Sequence, residues 1–152
     1  MIIYLGTDHR GFKLKEKIKK WLGEWDYKFY DLGAFELNKK DDYPDFVFEV
    51  AKKVLKDPKN NKGIVLGASG QGEAVAANKF KGVRAVVYYG GPEKIIKLSR
   101  QHNDSNILSL GAFFLSDKTA KKMIKIWLET EFSGHLRHER RLNKIKNAEK
   151  SI

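Results

Sequence analysis

The sequence predicts a single α/β domain over residues 1–152, built on a five-stranded parallel sheet with helices on both faces. Three observations carry this. Short apolar runs alternate with segments of helical periodicity from one end to the other. The glycine- and proline-containing breaks fall between these runs rather than inside them. The chain has 152 residues, 41% of them hydrophobic, which suits one core and leaves no room for a second domain.

Met1–Gly6 reads as the first strand, ending in Gly-Thr-Asp-His. Phe12 to Trp25 reads as a helix with Phe12, Ile18, Trp21 and Leu22 on its apolar face. Tyr27–Leu32 alternates weakly, as a second strand, and the polar stretch Gly33–Asp42 is a loop. Pro44 suits the first turn of a helix that runs from Tyr43 to Leu55, and Asp57-Pro58 turns the chain. Gly63–Leu66 is a short apolar strand that runs into Gly67-Ala68-Ser69-Gly70-Gln71-Gly72, with a helix from Glu73. Arg84–Tyr89 is the next strand, broken by Gly90-Gly91-Pro92 before a helix through Arg100. Asn106–Leu110 is the fifth strand. Asp117–Glu129 is an amphipathic helix with Ile124, Trp127 and Leu128 inside, and a basic helix covers about Leu136–Ala148. No internal repeat or low-complexity segment interrupts the order.

The absence of cysteine excludes disulfides, thiolate metal sites and a thiol nucleophile. No apolar run approaches membrane-spanning length, and Met1–Gly6 is too short for a secretory signal, so the expectation is a cytoplasmic protein with no membrane association. The formal net charge of +11 favours anionic partners, either a phosphorylated metabolite or nucleic acid. It also fits a solvated lysine-rich surface: Lys13, Lys15, Lys17, Lys19 and Lys20 fall at polar positions of the first helix. The basic residues form no stripe interleaved with aromatics, which argues against nucleic acid.

In parallel α/β sheets ligands bind beyond the carboxyl ends of the strands, so residues just after strands are the informative ones. Gly67, Gly70 and Gly72 lie between a strand and a helix. Glycines there let backbone N–H groups approach an anion, a phosphate or an enediolate oxygen, or simply make a tight turn. The spacing matches neither the dinucleotide fingerprint nor the P-loop. Glu73 is either a helix N-terminal acid in a favourable dipole or a general base beside that loop. Asp8 and His9 follow the first strand, and His102, Asn103 and Asp104 precede the fifth. These two clusters are expected to open on one sheet edge, where imidazole could open a sugar ring. Tyr43 either lines that edge or packs. Arg137 and Arg141, four apart on the last helix, suit a phosphate dianion or a solvated helix end. No His/Asp/Glu grouping has metal-ligand spacing; His135 and His138 are too few.

The combination of Gly6-Thr7-Asp8-His9, Asp42-Tyr43-Pro44, Gly67–Glu73 with Ala76-Ala77-Asn78-Lys79, Arg100–Asp104 and Arg137–Arg141 resembles the type B ribose-5-phosphate isomerase family, which also includes allose- and galactose-6-phosphate isomerases. The resemblance spans nearly the whole chain. It implies a Rossmann-like α/β/α sandwich, an aldose–ketose isomerase without metal or cofactor, and a homodimer or tetramer whose active site two subunits share. One branch of the family has a Cys at the position of Gly67 and the other a Glu at the position of Glu73; this chain looks like the second. By that resemblance Glu73 shuttles the proton between C1 and C2. Ser69 and the N–H groups of Gly70, Gln71 and Gly72 hold the enediolate, and His102 assists ring opening. Asp8 and Asn103 bind hydroxyls, and His9, Arg137 and Arg141 hold the phosphate. The family commonly has an Arg two residues after the glycine that ends the fifth strand; here Phe113 stands there. Another cation replaces it, or phosphate binding is weaker, or the substrate is a hexose or tetrose phosphate rather than ribose 5-phosphate.

Overall fold

The computed structural model describes residues 1–151. Five strands and six helices alternate: β1 (Ile2–Thr7), α1 (Phe12–Glu24), β2 (Lys28–Asp31), α2 (Tyr43–Leu55), β3 (Asn61–Gly67), α3 (Gln71–Ala77), β4 (Ala85–Tyr88), α4 (Glu93–Gln101), β5 (Ile107–Gly111), α5 (Asp117–Glu129) and α6 (Leu136–Lys150). The strands form one parallel sheet in the order β2-β1-β3-β5-β4. The predicted fold class therefore stands. β3 begins two residues earlier than its apolar run, because Asn61 and Lys62 pair with Ile2 and Ile3. α3 begins at Gln71 rather than Glu73.

The central strands β3 and β5 are buried along their whole length, as a sheet covered on both faces requires. One face packs α1, α4 and α5 through Leu14, Ile18, Leu22, Ile96, Ile124 and Trp127. The other packs α2 and α3 through Val47, Val50, Val54, Ala76 and Ala77. The Trp127 indole N–H is satisfied by the Ser105 hydroxyl at 2.9 Å, which lets the largest side chain of the core stay fully buried.

α1 departs from its predicted face in two ways. Leu14, not Phe12, completes the buried stripe with Ile18, Trp21 and Leu22. Lys15, read as a surface position, is fully buried and donates to Asp31 Oδ1 at 2.5 Å and to the Ala34 carbonyl at 2.6 Å. It thereby fixes the loop that leaves β2. α6 differs from the other long helices: His138 is its one buried residue, while Leu136 and Ile145 lie exposed. No helix among the described residues is long and apolar enough to cross a membrane.

Candidate active site

From β1 the chain turns outward in two directions, to β2 on one side and β3 on the other. The crevice in which such sheets bind ligands is expected where the order reverses, beyond the carboxyl ends of β1 and β3. The β1–α1 loop carries Asp8, His9 and Arg10 to one wall, and the segment 67–72 forms the other.

Gly70 adopts a left-handed conformation (φ 76°), and a Cβ there would meet the backbone of Leu110, so only glycine fits. Its carbonyl accepts from the buried Ser109 hydroxyl, which pins the loop to β5. Ala112 and Phe113 donate their N–H groups to the carbonyls of Gly67 and Ala68 at 2.9 and 3.1 Å, so the exit of β5 lies against the same loop. Ser69 is partly exposed, and its Oγ accepts weakly from the Gln71 N–H at 3.3 Å. A Cβ on Gly72 would press on the Tyr43 ring, which places Tyr43 directly beside the loop.

Glu73 is only 4% exposed, although it lies in the first turn of α3. Its carboxyl folds back over Gly67, so closely that a Cβ at position 67 would collide with it. Burial pushes the Glu73 carboxyl above the usual carboxylate range, its own N–H opposes this, and the charge of Asp8 adds to it. A buried carboxylate with a raised pKa, beside backbone N–H groups and facing a crevice, is suited to accept a proton from carbon.

Asp8 is buried and turns the loop by accepting the Arg10 N–H at 2.8 Å. His9 is tied to Asp41, which sequence reasoning missed. Asp41 Oδ1 takes both the His9 backbone N–H, at 2.9 Å, and the His9 Nδ1, at 2.7 Å. A carboxylate facing Nδ1 fixes the proton there and turns Nε2 outward. Ligand atoms of Asp8, His9 and Asp41 lie within 4.8 Å of one another, but the short bond between His9 and Asp41 already engages this group. The Arg10 guanidinium sits 5.7 Å from the centre of the Phe113 ring, at the mouth of the crevice. No carboxylate among the described residues pairs with it. Arg10 was also missed; its position next to His9 after a strand was the available signal.

The second predicted cluster lies elsewhere. His102, Asn103 and Asp104 follow α4 and precede β5, which puts them at the amino edge of the sheet. Asp104 pairs with Arg84, the residue before β4, at 2.8 Å, and the Asn103 carbonyl accepts from the same guanidinium at 3.1 Å. Strands of five to seven residues at ~3.3 Å each separate the two edges by roughly 20 Å. The expectation that Asp8 and His102 share an edge within one chain is therefore corrected. The last helix joins the His102 side. The His138 ring lies against that of His102, with centroids 4.1 Å apart and planes tilted by 34°. His138 Nδ1 meets the Ser133 hydroxyl at 2.8 Å, and its Nε2 accepts from Arg137 Nε at 3.1 Å. Accepting at Nε2 requires the neutral ring, in keeping with burial and then the neighbouring His102 and Arg137, which lower its pKa. Arg137 and Arg141 are exposed and meet no carboxylate among the described residues. One chain thus carries two incomplete sets. Asp8, His9, Tyr43, Gly67, Ser69, Gly70, Gln71, Gly72 and Glu73 stand at the carboxyl edge; His102, Asn103, Arg137 and Arg141 stand at the amino edge.

The chain is similar over its whole length to solved structures. It superposes with a TM-score of 0.94 and 38% identity on the ribose-5-phosphate isomerase B of Mycoplasma genitalium with bound ribulose-5-phosphate, covering 99% of this chain and 97% of that one. The corresponding figures for the Clostridium thermocellum ribose-5-phosphate isomerase B are 0.92 and 38%, covering 99% of both. Ribose-5-phosphate isomerase B of Mycolicibacterium paratuberculosis is 34% identical over 151 residues, 99% of this chain and 93% of that protein. The Ribose/Galactose Isomerase family pattern matches residues 3–145, and the chain belongs to that family.

Proposed function

We propose that this protein interconverts ribose 5-phosphate and ribulose 5-phosphate through an enediolate, with Glu73 as the base. The observation that carries the reading is the Glu73 carboxyl: buried, raised in pKa, and folded over Gly67 at the crevice. The carboxylate takes the proton from C2 of the open-chain aldose and returns it to C1. The C1 oxygen, negative in between, accepts hydrogen bonds from the Ser69 hydroxyl and the N–H groups of Gly70, Gln71 and Gly72; it then takes the proton of the C2 hydroxyl, so that C1 ends with the hydroxyl and C2 with the carbonyl. Only protons move, so neither a metal nor a redox cofactor is required.

The two separated sets support a site completed by a second copy of the chain. His102 of a second copy would open the furanose ring, Asn103 would bind a hydroxyl, and Arg137 and Arg141 would meet the phosphate beside His9. α6 offers what such an assembly needs, with its apolar side chains exposed and its arginines without carboxylates. Arg10, poised over Phe113, supplies a cation on the same wall as His9 and answers the absence of an arginine at position 113. The relocated charge also motivates a second reading, in which a longer or shorter sugar phosphate is preferred. A phosphorylated substrate and a cysteine-free chain fit a cytoplasmic location.

The test is turnover of ribose 5-phosphate by EDTA-treated protein, beside Glu73→Gln and a panel of hexose and tetrose phosphates. Activity that survives chelation, vanishes in the variant and is highest for the pentose is the expected result. An active Glu73→Gln enzyme would overturn the mechanism, and a higher kcat/KM for another sugar phosphate would establish the second reading.

A further inference from the structure

A cluster of cations lies at the amino edge, outside the residues assigned above. Lys62, the second residue of β3, is 5% exposed. Its Nζ donates to the Lys59 carbonyl at 3.2 Å and reaches the Asn61 carbonyl only at 3.5 Å. Among the described residues no carboxylate lies within salt-bridge distance of it. A buried ammonium is normally matched by an opposite charge, since desolvation costs several kcal/mol otherwise.

The ionised groups around Lys62 do not supply that match. Arg84 and Arg100 flank it, and the one carboxylate between them is divided: Asp104 Oδ1 accepts from Arg100 Nη1 and Oδ2 from Arg84 Nη2, each at 2.8 Å. Asp57, which also acts on Lys62, is exposed and bonded to Asn60, so close at hand the three cations share one divided carboxylate. All four line an open cavity of about 760 Å³, with the chain segment Leu128–Phe132 as another wall. Glu129 and Glu131 stand on that wall; Glu129 faces Lys125 at 3.9 Å and both are exposed. Burial, with Arg100 and Arg84, outweighs the pull of Asp104 and Asp57 and depresses the Lys62 ammonium to about 8. The same cavity contains none of Glu73, Ser69, His102 or Arg137.

We infer that the Lys62–Arg84–Arg100 cavity binds a tetrahedral oxyanion, inorganic phosphate or a phosphate monoester, with Lys62 as its anchor. Arginines whose guanidinium planes are already fixed by backbone carbonyls lose little entropy in accepting such a ligand: Arg84 through Asn103 and Asp104, Arg100 through Thr130 and Ser105. The site stands on these contacts alone and is independent of the isomerase reading.

The experiment is titration of the ¹⁵N-labelled protein with inorganic phosphate at pH 7 and constant ionic strength, following the amides of residues 62, 84, 100 and 104 and those of 67–72 as separate reporters. The expected result is a saturable shift at the amino-edge group, with affinity falling about tenfold or more in Lys62→Met, the loss of one charge-assisted hydrogen bond. Unchanged shifts at 67–72 in that variant would show that it is folded. Shifts confined to 67–72 in the wild type would overturn the proposal, as would an amino-edge affinity that Lys62→Met leaves unaltered.

Discussion

Glu73 combines a function with a cost. Burial holds its carboxyl above an ordinary glutamic acid, so the folded chain binds that proton more tightly than the unfolded chain does. The resulting stabilisation is present below the unfolded value of 4.5 and is lost as pH rises through the folded value. At pH 7 the buried charge is a net liability. Glu73→Gln is therefore expected to raise the melting temperature at pH 7 and to converge on the wild type near pH 4; a variant less stable at pH 7 would contradict this. Asp41 acts one residue further from substrate, as a positioning residue. Asp41→Asn keeps an acceptor for the His9 N–H groups but replaces the charged oxygen that holds the ring in place with a weaker, neutral one. The expected outcome is a KM for ribose 5-phosphate raised roughly tenfold with kcat little changed. A fall in kcat at constant KM would place Asp41 in the chemistry instead. Glu73, Ser69 and the glycines were legible because they stand together in one segment after a strand. Asp41 was not, because its partner lies 32 residues away and only the fold joins them.

At the scale of elements, the apolar patterns placed every strand and helix, and the misreadings were electrostatic or topological. Lys15 follows the helical repeat of a surface lysine, yet Asp31 at the end of β2 and the Ala34 carbonyl in the loop beyond close over its ammonium. Burial lowers the Lys15 ammonium, and the hydrogen bond and charge of Asp31 oppose that. Removing one partner of such a pair costs roughly 3 kcal/mol. Lys15→Met should lose about that much in urea unfolding, moderated because Lys19 still reaches Asp31 at 3.0 Å. A loss below ~0.5 kcal/mol would mean that the pair contributes nothing net. The position of His102 was within reach of the sequence. In a parallel sheet a residue after a helix and before a strand falls at the amino edge, so the order of elements alone separates it from Asp8.

For the whole molecule, the proposed sharing of a site across edges roughly 20 Å apart calls for a two-fold dimer, with the carboxyl edge of each copy against the amino edge of the other. Two inactive variants should then repair one another. Glu73→Gln spoils the carboxyl-edge set and His102→Ala the amino-edge set, so a mixed dimer retains one site with both sets intact. Unfolding and refolding an equal mixture gives half mixed dimers, each with one good site of two, hence about a quarter of wild-type activity. Activity no greater than that of either variant alone would show that each chain builds its site by itself.

The collision between a Cβ at position 67 and the Glu73 carboxyl has a consequence for ancestry. A cysteine arriving at 67 while Glu73 remains would push the Glu73 carboxyl, the far end of a flexible side chain, out of the place it holds over Gly67. Losing Glu73 first would leave a glycine and no base at all. The two chemistries therefore compete for one place, and a lineage passing between them changes both residues. The bare glycine at 67 is what reserves that place for the glutamate.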